Sequence, residues 1–331
     1  MGSEKMQKTT VDDVKKKMKK ILEEAHSMQV YLVLKEDDVL SIKLADIESE
    51  KATPELERMF CVCLKNQIIE NEEASLYELS VTEERVNAIY HYDYEEYPGV
   101  LSIIHSFNIG DSVKQVDKFD FAKDDLSTLF GYIVYIGSMT DGMVLFKKHY
   151  PISLIKRDSF LLGVARSNKR FEKMDGEDII RLNGESQIFC LDNEVYVTDI
   201  NVLEKFVGFT QLIYRDAEEA VEAIAELDLL EDIEVLKDSI EDISFARKLS
   251  KVKKTSPIFK LGITKETIVE FTKNTGALSG KFKYSEDGKS IVLDTKKSKD
   301  AFLKLMNDSF LRSELTKQYY EAISKDSIFQ E

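Results

Sequence analysis

The chain has 331 residues, 43% hydrophobic and 32% charged, with a formal net charge of −15 at pH 7. That is enough apolar material for a sizeable core, and no apolar run approaches the ~18 residues a membrane-spanning helix needs. Residues 1–10 lack the apolar stretch of a signal peptide, and Cys61, Cys63 and Cys190 are too few for a disulfide framework, so a cytoplasmic protein is expected.

In chain order, the first expected element is a helix over 11–25. Thr10 and Asp13 are spaced as a capping box, and Val11, Val14, Met18, Ile21, Leu22 and Ala25 share one stripe. Two strands, 28–34 and 39–44, flank a turn at 36–38. Thr53 and Pro54 read as cap and first residue of a helix to about 69, with Leu56, Met59, Phe60, Cys63 and Leu64 inward. The acidic, aromatic stretch 72–97 reads as strands and loops, broken by Pro98 and Gly99.

From Leu129 short β-favouring runs recur: 129–137, 143–150, 160–166, 170–174, 178–182, 187–191 and 194–198. Turn pairs separate them, among them Asp175-Gly176, Asn183-Gly184 and Asp192-Asn193, which supply the positive φ that tight turns require. This spacing predicts an antiparallel meander. Helices follow at 200–207, 211–228, 231–252 and 265–273, then a hairpin of 281–284 with 291–294 around Asp287-Gly288, then a helix capped by Ser298 and ending near Asn307. The tail 309–328 reads as strand, helix, or one followed by the other.

The expected fold class is therefore α+β. A mixed N-terminal domain over 1–125 precedes a second domain over 126–331. The second begins with the β-meander at 129–199, as a curved sheet or partial barrel, and continues as a mainly helical part with a β-hairpin at 200–331. The boundary rests on the change in texture near 120–128.

Charge is sorted along this plan. Residues 46–96 hold fourteen acids against Lys51, Arg58, Lys65 and Arg85, and residues 215–242 hold twelve against Arg215 and Lys237. Each block sums to −10, so the other 252 residues sum to +5. Local fields rather than net charge decide what docks where.

Motifs for catalysis are missing from the sequence. The histidines at 26, 91, 105 and 149 are dispersed, and Cys61 and Cys63 diverge on a helix, so neither a metal nor another cofactor is expected. There is no G-x-S-x-G elbow, Walker loop or G-x-G-x-x-G run. Glu185, Glu194 and Asp199 flank strands and could be nominated for a metal-dependent nuclease, although turn and cap roles explain them as well.

Two basic blocks stand out. Lys15, Lys16, Lys17, Lys19 and Lys20 lie on the polar face of the first helix, where a solvated face is the ordinary outcome. Residues 244–263 contain no acid while Arg247, Lys248, Lys251, Lys253, Lys254 and Lys260 accumulate. Ile240, Ile243, Ala246, Leu249 and Val252 supply the buried stripe, which is expected to turn the cations outward toward the helix C-terminus. Pairing with the acidic helices just before is the competing use of these charges. Arg166, Lys169 and Arg170 could extend a phosphate-binding surface, as could Lys147, Lys148, Lys156 and Arg157.

Several stretches carry a family resemblance: MVLFKKHYP at 143–151, FLLGVARSNKRFEKMDGEDIIRL at 160–182, SQIFCLDNEVYVTDINVLEKFVGF at 186–209 and FLKLMNDSFLRSELTKQYYEAISKD at 302–326. With RVNAIYHYDYEE at 85–96, they make the chain resemble the KwaB family of the bacterial Kiwa anti-phage defence system. The resemblance implies a cytosolic, DNA-binding effector that self-associates as a dimer or higher oligomer. It also implies docking on a KwaA-like membrane protein at the inner membrane face, and obstruction of phage replication or transcription. It transfers no catalytic residue. The alternatives are a nuclease with a cryptic metal site, and a scaffold whose basic blocks pair internally.

Overall fold

The structure is a computed structural model that describes residues 9–24, 27–48, 50–79, 85–107, 116–138, 141–150, 154–155, 161–165, 170–174, 179–313 and 315–321. It divides into two compact units. One comprises residues 1–77 and 85–203, the other residues 78–84 and 204–331.

The first unit opens with α1 (Val11–Glu24), whose N-terminus carries the expected capping box. The Thr10 N–H donates to Asp13 Oδ2 (2.9 Å), and the Asp13 N–H donates back to Thr10 Oγ1 (3.2 Å). β1 (Ser27–Glu36) and β2 (Val39–Leu44) form a hairpin whose turn residues Asp37 and Asp38 both adopt positive φ. α2 (Ala52–Leu64) begins two residues earlier than expected: Lys51 occupies the cap position without a side-chain hydrogen bond, and the Thr53 hydroxyl donates to the Glu48 carbonyl (3.1 Å). Pro54 sits in the first turn, where no backbone donor is needed. The helix continues as a π-turn over Lys65–Ile69. β3 (Ser75–Glu78), β4 (Ala88–His91) and α3 (Val100–Phe107) follow.

The meander consists of β5 (Leu129–Gly137), β6 (Gly142–Lys148), β7 (Leu154–Ile155), β8 (Leu161–Ala165), β9 (Arg170–Met174), β10 (Ile179–Ile180), β11 (Ile188–Leu191) and β12 (Glu194–Val197). Only four of these strands join the main sheet. Its order is β2-β1-β5-β6-β11-β12-β4-β3, and it is open, not a closed barrel. β7 pairs with β10 and β8 with β9 as separate two-stranded pieces. The strands on either side of residue 125 share this one sheet, because β1 pairs antiparallel with β5 from Ser27↔Gly137 to Leu34↔Leu129.

Both faces of the sheet are covered, which explains why its central strands read as near-continuous apolar runs. Tyr132, Val134, Ile136, Met143, Leu145, Phe189 and Leu191 form one buried cluster with Val14, Met18 and Ile21 of α1 and Phe60 and Leu64 of α2. Ile133, Val144, Phe146, Ile188 and Val195 are buried on alternate positions, and α3 packs on β6 and β12. Cys190 is buried here too, and burial pushes its thiol up to about 12.

The chain passes through α4 (Ile200–Phe206) into the second unit. Gly208, at φ 85, makes the left-handed turn into α5 (Phe209–Glu226). The single helix expected over 231–252 is two helices, α6 (Glu234–Ser239) and α7 (Ile243–Thr255). Asp242 breaks it: its backbone is extended, and its carboxylate accepts from the Ser244 and Phe245 N–H groups as an N-cap. α8 (Pro257–Lys260), α9 (Lys265–Asn274) and the hairpin β13 (Lys283–Tyr284)–β14 (Ile291–Val292) come next. α10 (Lys296–Met306) is capped by Thr295, with Ser298 as the third-residue partner in a capping box rather than the cap itself. The tail forms the pair β15 (Phe310–Arg312)–β16 (Tyr319–Glu321).

Candidate nucleic-acid interface

α7 packs along α5, and the expected stripe is largely the buried one: Ala246, Leu249 and Val252 are buried, joined by Phe245 and Ser250. Ile243 is only half-buried. The stripe is wider than the spacing of apolar residues suggested, because Lys251 also falls inside it at 6% exposure. The expectation that every cation of α7 turns outward is therefore corrected at Lys251.

Two other cations of α7 meet carboxylates within the same unit. Arg247 Nη2 lies 2.5 Å from Glu204 Oε1 of α4, with both side chains largely withdrawn from solvent. Lys253 Nζ lies 2.6 Å from Glu219 Oε2 of α5, where both partners are about half-exposed at 48% and 45%. The hydrogen bond that it donates to this carboxylate holds the Lys253 ammonium above the ordinary lysine range. These two pairs differ in kind. The Arg247–Glu204 pair is a packed structural contact, and removing one partner would strand the other. The Lys253–Glu219 pair is a surface contact of small energy, easily exchanged.

Lys248 is half-buried, and Lys260, on α8, is exposed. Arg166 and Lys169 lie outside the described residues, as do the side chains of Lys254 and Arg170 and residues Lys156 and Arg157. In the first unit, Lys147 pairs with Glu185 (3.5 Å). Four of the five α1 lysines are also engaged: Lys15 donates to the Asn71 carbonyl (2.7 Å), Lys17 contacts Asp141 and Asp192 (3.1 and 3.0 Å), and Lys19 and Lys20 approach Glu23 and Glu24.

The carboxylates nominated for metal chemistry have separate partners. Glu185 faces Lys147, Glu194 lies 2.7 Å from His91 Nε2, and Asp199 accepts from Gln187 Nε2 (3.0 Å) and the Val202 N–H (3.2 Å) as the cap of α4. Among the described residues, no three histidine, cysteine or acidic side chains gather to hold a metal ion. Among them, too, no helix is long and apolar enough to cross a membrane.

Comparison with known proteins gives two matches. A family model described as "Kiwa protein KwaB-like" matches residues 126–316. The "Kiwa protein KwaB" of Escherichia coli O55:H7 (strain RM12579 / EPEC) is 29% identical over 325 residues, which are 96% of this chain and 99% of that protein. No solved structure matches.

Proposed function

The chain belongs to the KwaB-like family and is a component of a Kiwa anti-phage defence system, and from that premise we propose that it acts by binding DNA through the phosphate backbone, without catalysis of its own. The single observation behind this reading is the acid-free segment 244–263, which concentrates cations on α7 and α8 directly after the strongly acidic stretch 215–242. Lys253 and Lys260 present exposed ammonium groups there, and Lys248 and Lys254 belong to the same helix. Ammonium groups of this kind neutralise phosphates without reading bases, so the binding is insensitive to sequence and steeply dependent on salt. In this reading the protein works in the cytoplasm as a homo-oligomer, docked at the inner membrane face through a KwaA-like partner, and bound DNA is withheld from replication or transcription.

The test is a gel-shift titration of the full chain and of a Lys253→Glu/Lys260→Glu variant. Both positions are exposed, so the variant keeps its fold, whereas reversing Arg247 or Lys251 would bury a wrong charge. The variant is expected to bind DNA more weakly at low salt, and unchanged affinity removes the reading. Incubation of plasmid with the protein and Mg²⁺ or Mn²⁺ separates binding from nuclease activity, since a binder leaves the plasmid intact.

A second reading, a scaffold whose basic helix serves its own packing, is favoured by one observation: Arg247 and Lys253 both sit on carboxylates of the same unit. The gel shift decides between the two.

A further inference from the structure

We infer that the apolar groove formed by α8, α9 and the end of α10 is the seat of Phe329, brought there by the segment 322–331 of the same chain. The groove lies wholly in the second unit and encloses about 220 Å³. Ile258 and Leu261 line it from α8 and its C-cap, Ile268 and Phe271 from α9, and Leu305 and Asp308 from the end of α10. It is smaller than the roughly 300–1,000 Å³ of sites that enclose a small molecule, and its size suits one or two large side chains instead.

Part of its lining is open to water. Leu261 is 74% exposed and Phe271 39%, whereas Ile258 and Ile268 are buried. Apolar residues exposed singly are ordinary, but two that border one groove extend its apolar surface outward.

The register of the last two strands identifies what is placed to cover it. Asp308, at positive φ, follows the end of α10 and leads into β15. β16 runs back antiparallel, pairing Arg312↔Tyr319, Leu311↔Tyr320 and Phe310↔Glu321. The chain therefore returns toward Asp308, itself a groove residue, and Glu321 comes within about 13 Å of it. Residues 322–331 lie outside the described residues, and in sequence they carry one aromatic side chain, Phe329, beside Ile328. Phe329 follows Glu321 by eight residues, a length that spans up to ~26–29 Å when extended and so exceeds the remaining distance. A side chain tethered this close meets the groove at a millimolar effective concentration, which favours it over an untethered partner. Its ring brings the large apolar area that an anchor side chain needs. The groove adjoins α8, where Lys260 is exposed, so the seated segment would also carry Asp326 and Glu331 toward the cation-rich stretch 244–263.

The inference does not rest on DNA binding, and the chain offers a direct test because it contains no tryptophan. The full chain carrying Phe329→Trp, and separately Ile328→Trp, is excited selectively at the indole, and emission and acrylamide quenching are recorded. At least one of the two should emit to the blue of indole in water and resist quenching. Adding Leu261→Glu, which places a charge on the lining, should return that emission to the position for water. Leu261 is exposed enough that this variant folds, which thermal unfolding verifies. Dilution should leave the signal unchanged, since the segment belongs to the same chain. Water-like emission from both tryptophans overturns the inference, and so does a shielded signal that survives Leu261→Glu or is lost on dilution.

Discussion

Replacing Glu219 by glutamine probes the proposed interface by removing a charge rather than adding one. Glu219 holds Lys253 at 2.6 Å, so its carboxylate occupies the place a DNA phosphate would take. A phosphate arriving at Lys253 must displace that carboxylate and then tolerate its negative charge nearby. An ion pair this exposed contributes about 0.2–1 kcal/mol, and releasing it should strengthen DNA binding by roughly 1.4- to 5-fold at low salt. If Lys253 then neutralises a phosphate in full, the slope of log K against log salt steepens by about 0.9 on duplex DNA. The folded state should lose no more than about 1 kcal/mol in urea unfolding, which keeps the comparison between folded proteins. Fluorescence anisotropy with labelled duplex across a salt series provides both affinity and slope. If Glu219→Gln leaves both unchanged while the protein stays folded, Lys253 does not touch a phosphate and the proposed interface loses an exposed cation of α7.

Other consequences concern stability. Glu204→Ala leaves the largely buried Arg247 guanidinium without its carboxylate and should cost about 3 kcal/mol or more, measured by chemical denaturation. Ser256 is fully buried; its hydroxyl donates to the Met306 carbonyl and accepts from the Ile258 N–H, so Ser256→Ala should cost about 1–3 kcal/mol. Asp13 is held below the ordinary carboxylate range by the Thr10 hydroxyl and N–H. A carboxylate depressed on folding stabilises above its unfolded value and loses that effect as pH falls through the folded one, so the protection of amides at the start of α1 should drop below about pH 4, and Thr10→Ala, which removes the hydroxyl and keeps the N–H, should weaken that pH dependence.

Features set by neighbouring residues were the most legible in the sequence. The capping box at Thr10 and Asp13, the positive-φ turns at Asp192-Asn193 and Asp287-Gly288 and the β-favouring runs beside them are local, and the structure has them where the spacing put them; Asn183-Gly184, between strands that pair elsewhere, adopts no positive φ. Competing local signals account for the displaced helix boundaries. Thr53-Pro54 and Ser298 are both acceptable caps, but Lys51 and Thr295 hold those positions, and Asp242 captures two N–H groups inside a run whose apolar period continues through it. Non-local pairing was not legible. Nothing in 27–36 announces that it lies beside 129–137, so the texture change near 125 suggested a boundary inside what is one sheet. The same holds for the basic helix. Its composition marked α7 as unusual, but the assignments of Arg247 to Glu204 and Lys253 to Glu219 span 43 and 34 residues and depend on how α4, α5 and α7 pack.

The central claim is that this Kiwa component binds DNA through cations of the segment 244–263. The most direct test is the salt dependence of duplex affinity for the wild-type chain beside Lys253→Glu/Lys260→Glu. The wild type should show a steep negative slope, and the variant a slope shallower by about 0.9 for each phosphate that it no longer neutralises. Coincident lines for the two proteins, both folded, would contradict the claim.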